Sequence, residues 1–262
     1  MLFSYYDRYQ YAVNPLVEVI CQLRFPAILS ISAKEPAAFQ EAVRRDFPRY
    51  LVNHEQPAPK VTGLGTPNAR LEQGAPITNY SFISADGLWK LNLTNSFIAL
   101  STLRYQRWED FAQRLDKPLA EFIQIYQPSF FERIGLRYVN AFSRKALNLE
   151  GSAWSDLIAP AFLGVLAEQD VDEKAVGKCS LDVEMALEDC RLKLHAGPGL
   201  LGGGKKDPEV KFILDNDFSV SGNLSADRVP GNLAVMHQHA VRLFRGAVTS
   251  ELHTAMGATP MT

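Results

Sequence analysis

Alternating apolar and polar positions predict that much of the chain is β-strand. In residues 16–25 apolar side chains recur at every second position, the period of a strand with one buried face, and Pro26 ends the run. Asp86-Gly87 separates two other such segments and is typical of a hairpin turn. Further strands are predicted at 77–85, 88–94, 97–103, 129–142, 176–187, 190–196 and 209–221. Residues 50–63 are predicted to be extended, and residues 64–76 to form a loop.

A helical period of apolar residues predicts four helices, at 35–47, 106–126, 153–164 and 230–256. The first has Phe39, Val43 and Phe47 at four-residue spacing. Pro118 lies inside the second and predicts a kink or a break there. The last is predicted to run as one helix up to Gly257.

Two segments that open the two halves of the chain resemble each other. Residues 17–25 read VEVICQLRF and residues 131–138 read FERIGLRY, with one residue fewer in the second. The match favours an internal repeat with halves at 1–127 and 128–262, and the alternative is a chance likeness between two strands. Because of the missing residue, either the two strands present different faces or one contains a bulge, for which Gly135 is the natural position.

Each half reads strand, helix, three or four strands and a long helix. An antiparallel sheet must bury one face, and long amphipathic helices packed across it do so. The sequence therefore predicts an α+β protein, one compact body with long helices on one face of an antiparallel sheet. The order of elements resembles the TATA-binding-protein and helix-grip topologies, which implies two halves joined into one extended, curved sheet.

Composition restricts the classes of partner. The 262 residues are 47% hydrophobic and 21% charged, as in ordinary globular proteins. A net charge of -2 gives no overall attraction to nucleic acid or to an anionic membrane. Neither a secretory signal nor a long apolar run is evident, so we expect a cytoplasmic protein with no membrane partner. The three cysteines include no C-x-x-C pair, and Cys21 and Cys179 are expected to be buried free thiols.

Three segments resemble an uncharacterised, sporadically distributed prokaryotic family of similar length. They are Asn14-Pro15-Leu16-Val17-Glu18-Val19, Arg133-Ile134-Gly135-Leu136-Arg137-Tyr138-Val139-Asn140 and Leu214-Asp215-Asn216-Asp217-Phe218. The resemblance spans nearly the whole chain. It implies an accessory role. The family has no assigned activity, so the resemblance supplies no catalytic residues.

Four acidic residues occur as two pairs whose spacing puts both members on one strand face. Asp182 and Glu184 are two apart on one predicted strand, and Asp215 and Asp217 are two apart on another. If the strands are neighbours, the carboxylates converge and can bind Mg²⁺ or Mn²⁺ for phosphodiester chemistry. The alternative, favoured by the alternation itself, is the solvated face of a half-buried sheet.

Other chemical motifs are incomplete. Residues 199–206 read GLLGGGKK and nearly match a phosphate-binding loop, but Lys206 offers no hydroxyl to Mg²⁺, so a hairpin connection is preferred. His237 and His239 fall on different faces of a predicted helix, which is poor spacing for metal ligands, and are interpreted as helix-surface residues. The sequence contains no G-x-S-x-G elbow and no cysteine spacing for zinc.

Arginines near aromatic residues form the remaining candidate site. The candidate binding residues are Arg24, Arg133, Arg137 and Tyr138. Arginine beside an aromatic ring suits stacking on bases or pairing with phosphates. Residues 104–108, RYQRW, have the same mixture, although Trp108 also fits the apolar stripe of its helix.

Since no catalytic signature is complete, the first hypothesis is a non-enzymatic binding or interaction protein without a cofactor. Its partner would be a protein or a small ligand on the concave sheet, bordered by the 64–76 and 198–208 loops, and edge pairing also suggests a homodimer. The second hypothesis is a metal-dependent phosphodiesterase or nuclease that uses the four acids with Mg²⁺ or Mn²⁺. The third is nucleic-acid binding through the curved sheet, which the net charge disfavours.

Overall fold

A nine-stranded antiparallel sheet is the main element of the fold. The structure is a computed structural model that describes residues 1–5, 8–56, 60–62, 70–72, 74, 76–201 and 207–261. The described strands are β1 (Tyr9–Tyr11), β2 (Leu16–Arg24), β3 (Arg49–Glu55), β4 (Lys60–Thr62), β5 (Arg70–Glu72), β6 (Ile77–Ile83), β7 (Trp89–Leu93), β8 (Phe97–Thr102), β9 (Phe131–Phe142), β10 (Leu181–Ala186), β11 (Arg191–Leu200), β12 (Val210–Leu224) and β13 (Ala258–Pro260). The sheet has the order β10-β11-β12-β9-β2-β8-β7-β6-β3.

Helices complete an α+β architecture, as predicted. The described α-helices are α1 (Leu29–Ala33), α2 (Ala37–Val43), α3 (Trp108–Tyr126), α4 (Trp154–Leu157), α5 (Val229–Ala247) and α6 (Ser250–Ala255). Short 3-10 helices lie at Pro160–Phe162, Gly164–Ala167, Glu173–Ala175 and Ala226–Arg228.

The longer helices pack on one face of the sheet. Phe122 of α3 contacts Phe25 with ring centroids 4.8 Å apart, and Phe244 of α5 contacts Phe142 at 5.7 Å. Burying a side chain of this size stabilises a fold by roughly 1.5–3 kcal/mol. The opposite face, which carries Gln22 of β2 and alternate residues of the other strands, is called the outer face below.

The strands that open the two halves, β2 and β9, pair in the centre of the sheet. Gln22 lies opposite Gly135 in regular register, and the irregularity in this pair falls between Leu16 and Glu18. The prediction of a bulge at Gly135 is therefore wrong. A different physical reason accounts for glycine at this position. The guanidinium group of Arg133 occupies the space that a Cβ at position 135 would need.

The helix predicted at 230–256 is two helices. α5 ends at Ala247, Val248 is extended, and Thr249 is the N-cap of α6. The Thr249 hydroxyl accepts a hydrogen bond from the backbone N–H of Leu252 at 3.3 Å, which satisfies a free donor in the first turn. The apolar stripe continues across this junction, so the periodicity alone does not reveal it.

The helix α3 continues through Pro118, so the alternative of a break at that residue is wrong. The helix predicted at 35–47 is shorter, Ala37–Val43, and Phe39, Val43 and Phe47 are each at most 1% exposed. The hairpin preferred for the glycine-rich segment agrees with the pairing of Leu200 with Val210, while residues 202–206 lie outside the described ranges.

Parts of the remaining predictions also fall outside the described ranges. Within the predicted loop at 64–76, residues 64–69, 73 and 75 are not described, and Arg70–Glu72 forms β5, paired with β4.

All three cysteines are free; Cys21 is buried, whereas Cys179 is half-buried. None of the helices in the described ranges combines the length and the apolarity that crossing a membrane would take.

The first and last strands form a separate two-stranded sheet beside α5. β1 pairs antiparallel with β13, and the Tyr11 hydroxyl lies 3.1 Å from Nδ1 of His253. Upstream, the backbone N–H of Ser4 donates to the carbonyl of Arg242 in α5 at 3.0 Å. The backbone at Leu2 passes so close to Gly246 that no Cβ fits between them. These contacts hold β1 next to the middle of the molecule.

Replacing Gly246 with alanine tests this packing. The added methyl would overlap the backbone of Leu2, so we expect a loss of about 1–3 kcal/mol, as for other overpacked sites. Gly231 lies in the same helix with no atom within 4 Å of the Cβ position, and Gly231→Ala should be neutral or stabilise by up to about 1 kcal/mol. Urea unfolding measures both changes. A stabilised Gly246→Ala variant would contradict the packing.

Candidate functional site

The outer face of the second half carries the four predicted acids. Asp182 and Glu184 on β10 and Asp215 and Asp217 on β12 all point to this face, as their spacing predicts. The two strands are not neighbours, because β11 lies between them. The acid pairs are therefore two strand spacings apart, about 10 Å.

Each of these acids has a basic partner. Nε of Arg137 donates to Oδ1 of Asp215 at 2.8 Å, Nη2 of Arg133 to both carboxylate oxygens of Asp217 at 2.7 Å, and Nζ of Lys193 to Oε1 of Glu184 at 2.7 Å, while Nδ1 of His195 lies 2.8 Å from Oδ1 of Asp182. Within the described ranges, no group of three or more His, Cys, Asp or Glu side chains could hold a metal ion. The convergence on which the metal hypothesis depends is absent from this part of the chain.

The four candidate binding residues do not form one site. Arg24 is exposed and lies directly opposite Arg133 across the β2–β9 pair. Arg133 and Arg137 are on the outer face, paired with the aspartates of β12. Tyr138 points to the helices instead and is only 6% exposed. The structure thus separates Tyr138 from the arginines and places it in a cavity.

This cavity has a volume of about 560 Å³ and lies on the helix side of β9 and β12. The two strands contribute Tyr138, Asn140 and Asn216, and α5 contributes His237. The cavity is also lined by β1 and by residues 103–106, the segment before α3. Its size is in the range of sites for small molecules.

A hydrogen bond connects the two sides of the cavity. The Tyr138 hydroxyl lies 2.9 Å from Nδ1 of His237. The indole of Trp108 stacks on the imidazole, with ring centroids 4.8 Å apart and planes 10° apart. The ring of His237 is therefore fixed in place. Its Nε2 is buried and has no hydrogen-bond partner among the described residues.

Asn216 is the most unusual residue of the cavity lining. It is fully buried, at 0% exposure, and neither Nδ2 nor Oδ1 has a hydrogen-bond partner within the described chain. In the neighbouring strand, Nδ2 of Asn140 does find a partner, the carbonyl of Leu214 at 3.2 Å. Leaving a buried donor or acceptor unpaired costs about 1–3 kcal/mol, so such groups need an explanation.

Burial sets the protonation of the aromatic groups. It raises the pKa of Tyr138 well above the ordinary value of a phenol and also raises the pKa of Tyr105. Burial, the largest cause, and the positive charge of Arg8 lower the pKa of His237 to about 4, while Glu109 opposes the shift. At pH 7 the cavity therefore presents a neutral imidazole and protonated phenols.

Sequence reasoning misses both Asn216 and His237 as cavity residues. The alternation that puts Asp215 and Asp217 on one face puts Asn216 on the other, and an amide at a core position is the signal. The interpretation of His237 as a surface residue is wrong, since it is 7% exposed. His237 lies four residues after Leu233, on the apolar stripe of α5, and this position is the sequence signal for its burial.

Comparison with models of known protein families gives no match, and neither does comparison with curated proteins. The resemblance to an uncharacterised prokaryotic family therefore stays a prediction, and the candidate site rests on its geometry.

The buried histidine predicts a pH-dependent stability. Between its ordinary pKa of 6.5 and about 4, the unfolded chain takes up a proton that the folded chain does not, so stability falls as the pH falls. For this one residue the loss from pH 7 to pH 5 is about 2 kcal/mol. His237→Gln should remove that part of the dependence in urea unfolding at the two pH values. An NMR titration of His237 with a pKa near 6.5 would contradict its burial.

Proposed function

We propose that this chain is a non-enzymatic binding protein for a small polar molecule that occupies the cavity between β9, β12 and α5. The observation that carries the proposal is the fully buried amide of Asn216, which lines the cavity and has no hydrogen-bond partner among the described residues. A ligand that hydrogen-bonds to this amide would offset a cost of about 1–3 kcal/mol for each unpaired group. Nε2 of His237 offers a further site for the same ligand.

The placement of the polar groups supports binding. Tyr138, Asn216 and His237 project from two central strands and a long helix, elements that hold a side chain more firmly than a loop does. At pH 7 these groups are uncharged, because burial lowers the pKa of His237 and raises that of Tyr138. They are suited to hydrogen bonding with a ligand.

The other two hypotheses have less support. A metal-dependent phosphodiesterase or nuclease would need carboxylates that converge, whereas β11 separates the two acid pairs and each acid has a basic partner. Nucleic-acid binding through the curved sheet would need free cations. Arg133 and Arg137 are paired with Asp217 and Asp215, whose charges would repel phosphates.

We also propose that residues 1–127 and 128–262 are two copies of one unit, with a TATA-binding-protein-like arrangement. The strand order supports this, since from the centre outward it is β2-β8-β7-β6-β3 on one side and β9-β12-β11-β10 on the other. In both halves the central strand pairs with the strand that precedes the long helix, β2 with β8 and β9 with β12, and that helix has 19 residues. The cavity would then lie where the copies meet.

An accessory role in the cytoplasm of a prokaryote and a homodimer belong to the same proposal. Dimer formation is supported by the edge strand β3, whose Leu51 is 54% exposed. An exposed edge offers unpaired backbone groups to a second copy.

Filling the cavity from α5 tests the binding proposal. Val241 lines the cavity and Val235 of the same helix does not, and both are half-buried. We expect at least one member of a panel of amino acids, sugars, nucleosides and carboxylic acids to raise the melting temperature of the wild type and of Val235→Phe. A ligand that binds the folded state stabilises it by mass action. The same compound should not stabilise Val241→Phe, because the larger side chain fills the cavity and prevents binding.

Differential scanning fluorimetry at millimolar concentrations gives these melting temperatures. Equal stabilisation of all three proteins would locate binding elsewhere, and a panel without any stabilising compound would contradict the proposal.

A further inference from the structure

The charges around the cavity restrict its ligand. Among the described residues, the lining includes two arginines, Arg104 and Arg245, and no aspartate or glutamate. The nearby acid Glu109 is held by Arg8 through two hydrogen bonds, of 2.7 and 3.2 Å. A cation that leaves water for this cavity would gain no free counter-charge from the described lining residues, and burial of an unpaired charge is costly. A neutral or anionic molecule suits the lining.

The amide of Asn216 restricts the ligand further. Its donor, Nδ2, and its acceptor, Oδ1, lie side by side in one plane at the wall of the cavity, and both are buried and without a partner among the described residues. A carboxylate would pair only with the donor and an ammonium group only with the acceptor. Full pairing needs a ligand with an acceptor and an N–H donor next to each other. Nucleobases have such edges, and the bidentate pairing of Asn with adenine is a recurrent example.

Aromatic side chains form much of the remaining lining. Tyr11 and Phe244 lie together with ring centroids 5.4 Å apart, and Tyr105 meets Tyr138 edge to face at 5.7 Å. Aromatic faces favour flat ligands, and stacking of a base on an aromatic ring contributes about 1–3 kcal/mol. The shape and the hydrogen-bonding pattern thus favour the same kind of molecule.

We infer that the cavity binds a nucleobase, a planar heterocycle whose adjacent donor and acceptor pair with the amide of Asn216. This inference rests on the proposed function. The base can come from a nucleoside or from a nucleotide. Arg104, which is exposed and lines the cavity, offers a positive charge to the phosphate of a nucleotide.

Isothermal titration calorimetry with adenosine, uridine, AMP, UMP and ribose 5-phosphate tests the inference. We expect at least one of the two bases to bind, and ribose 5-phosphate to bind at least about tenfold more weakly than the matching nucleotide. Tighter binding of the nucleotide than of the nucleoside would identify the nucleotide as the source, and equal affinity would identify the nucleoside.

The variant Asn216→Asp replaces the donor by an acceptor with little change in shape. It should weaken binding of the base about tenfold or more, because a hydrogen bond becomes a clash of acceptors. Asn223→Asp makes the same change at an exposed position of the same strand and should leave binding unchanged. On the wild-type protein, removal of the ligand's donor, as in purine riboside for adenosine or 3-methyluridine for uridine, should cause a similar loss. This arm does not depend on folding of the variant.

The outcomes separate the two proposals. If neither base binds while another compound stabilises the wild type but not Val241→Phe, the inference is wrong and the binding function stands. If a base binds equally well without its donor, or ribose 5-phosphate binds as tightly as the nucleotide, recognition by Asn216 is overturned. If no compound of either experiment binds, both proposals fail.

Discussion

The alternation of side chains along β12 is the constraint on which the candidate site depends. Asp215 and Asp217 point to the outer face, where Arg137 and Arg133 hold them. Asn216, between them, must point to the helices and is buried completely. One short segment therefore supplies charge pairs to one face and a buried amide to the other. A shift of one residue in the register would exchange the two faces, so the central pairing of β12 with β9 fixes both.

The regular parts of the fold could be predicted because their periodicity is local. The strand at residues 16–25 and the stripe Phe39, Val43 and Phe47 follow from patterns that neighbouring residues complete by themselves. The division between α5 and α6 could not be predicted in this way, since the apolar stripe continues and only the cap at Thr249 interrupts it. Side-chain chemistry at a single position outweighed the pattern there.

The cavity required contacts that no local pattern contains. Strand order keeps the two pairs of acidic residues apart, although both pairs lie on the outer face. The strand β11 lies between them and places Lys193 and His195 there. The position of Tyr138 opposite His237 likewise depends on how α5 crosses the sheet. Sequence could have indicated two of the cavity residues: Asn216, since alternation puts its amide in the core, and His237, which lies one turn after Leu233 in α5. A buried polar group that lowers stability is typical of a functional site.

The most direct test of this account is the NMR signal of the Asn216 side-chain amide during a titration with adenosine or uridine. The account predicts a saturable change in both amide proton shifts of Asn216, while those of the exposed Asn223 stay constant. Two results would contradict it. One is Asn216 shifts that stay constant while a nucleoside binds, and the other is that neither nucleoside binds at millimolar concentration.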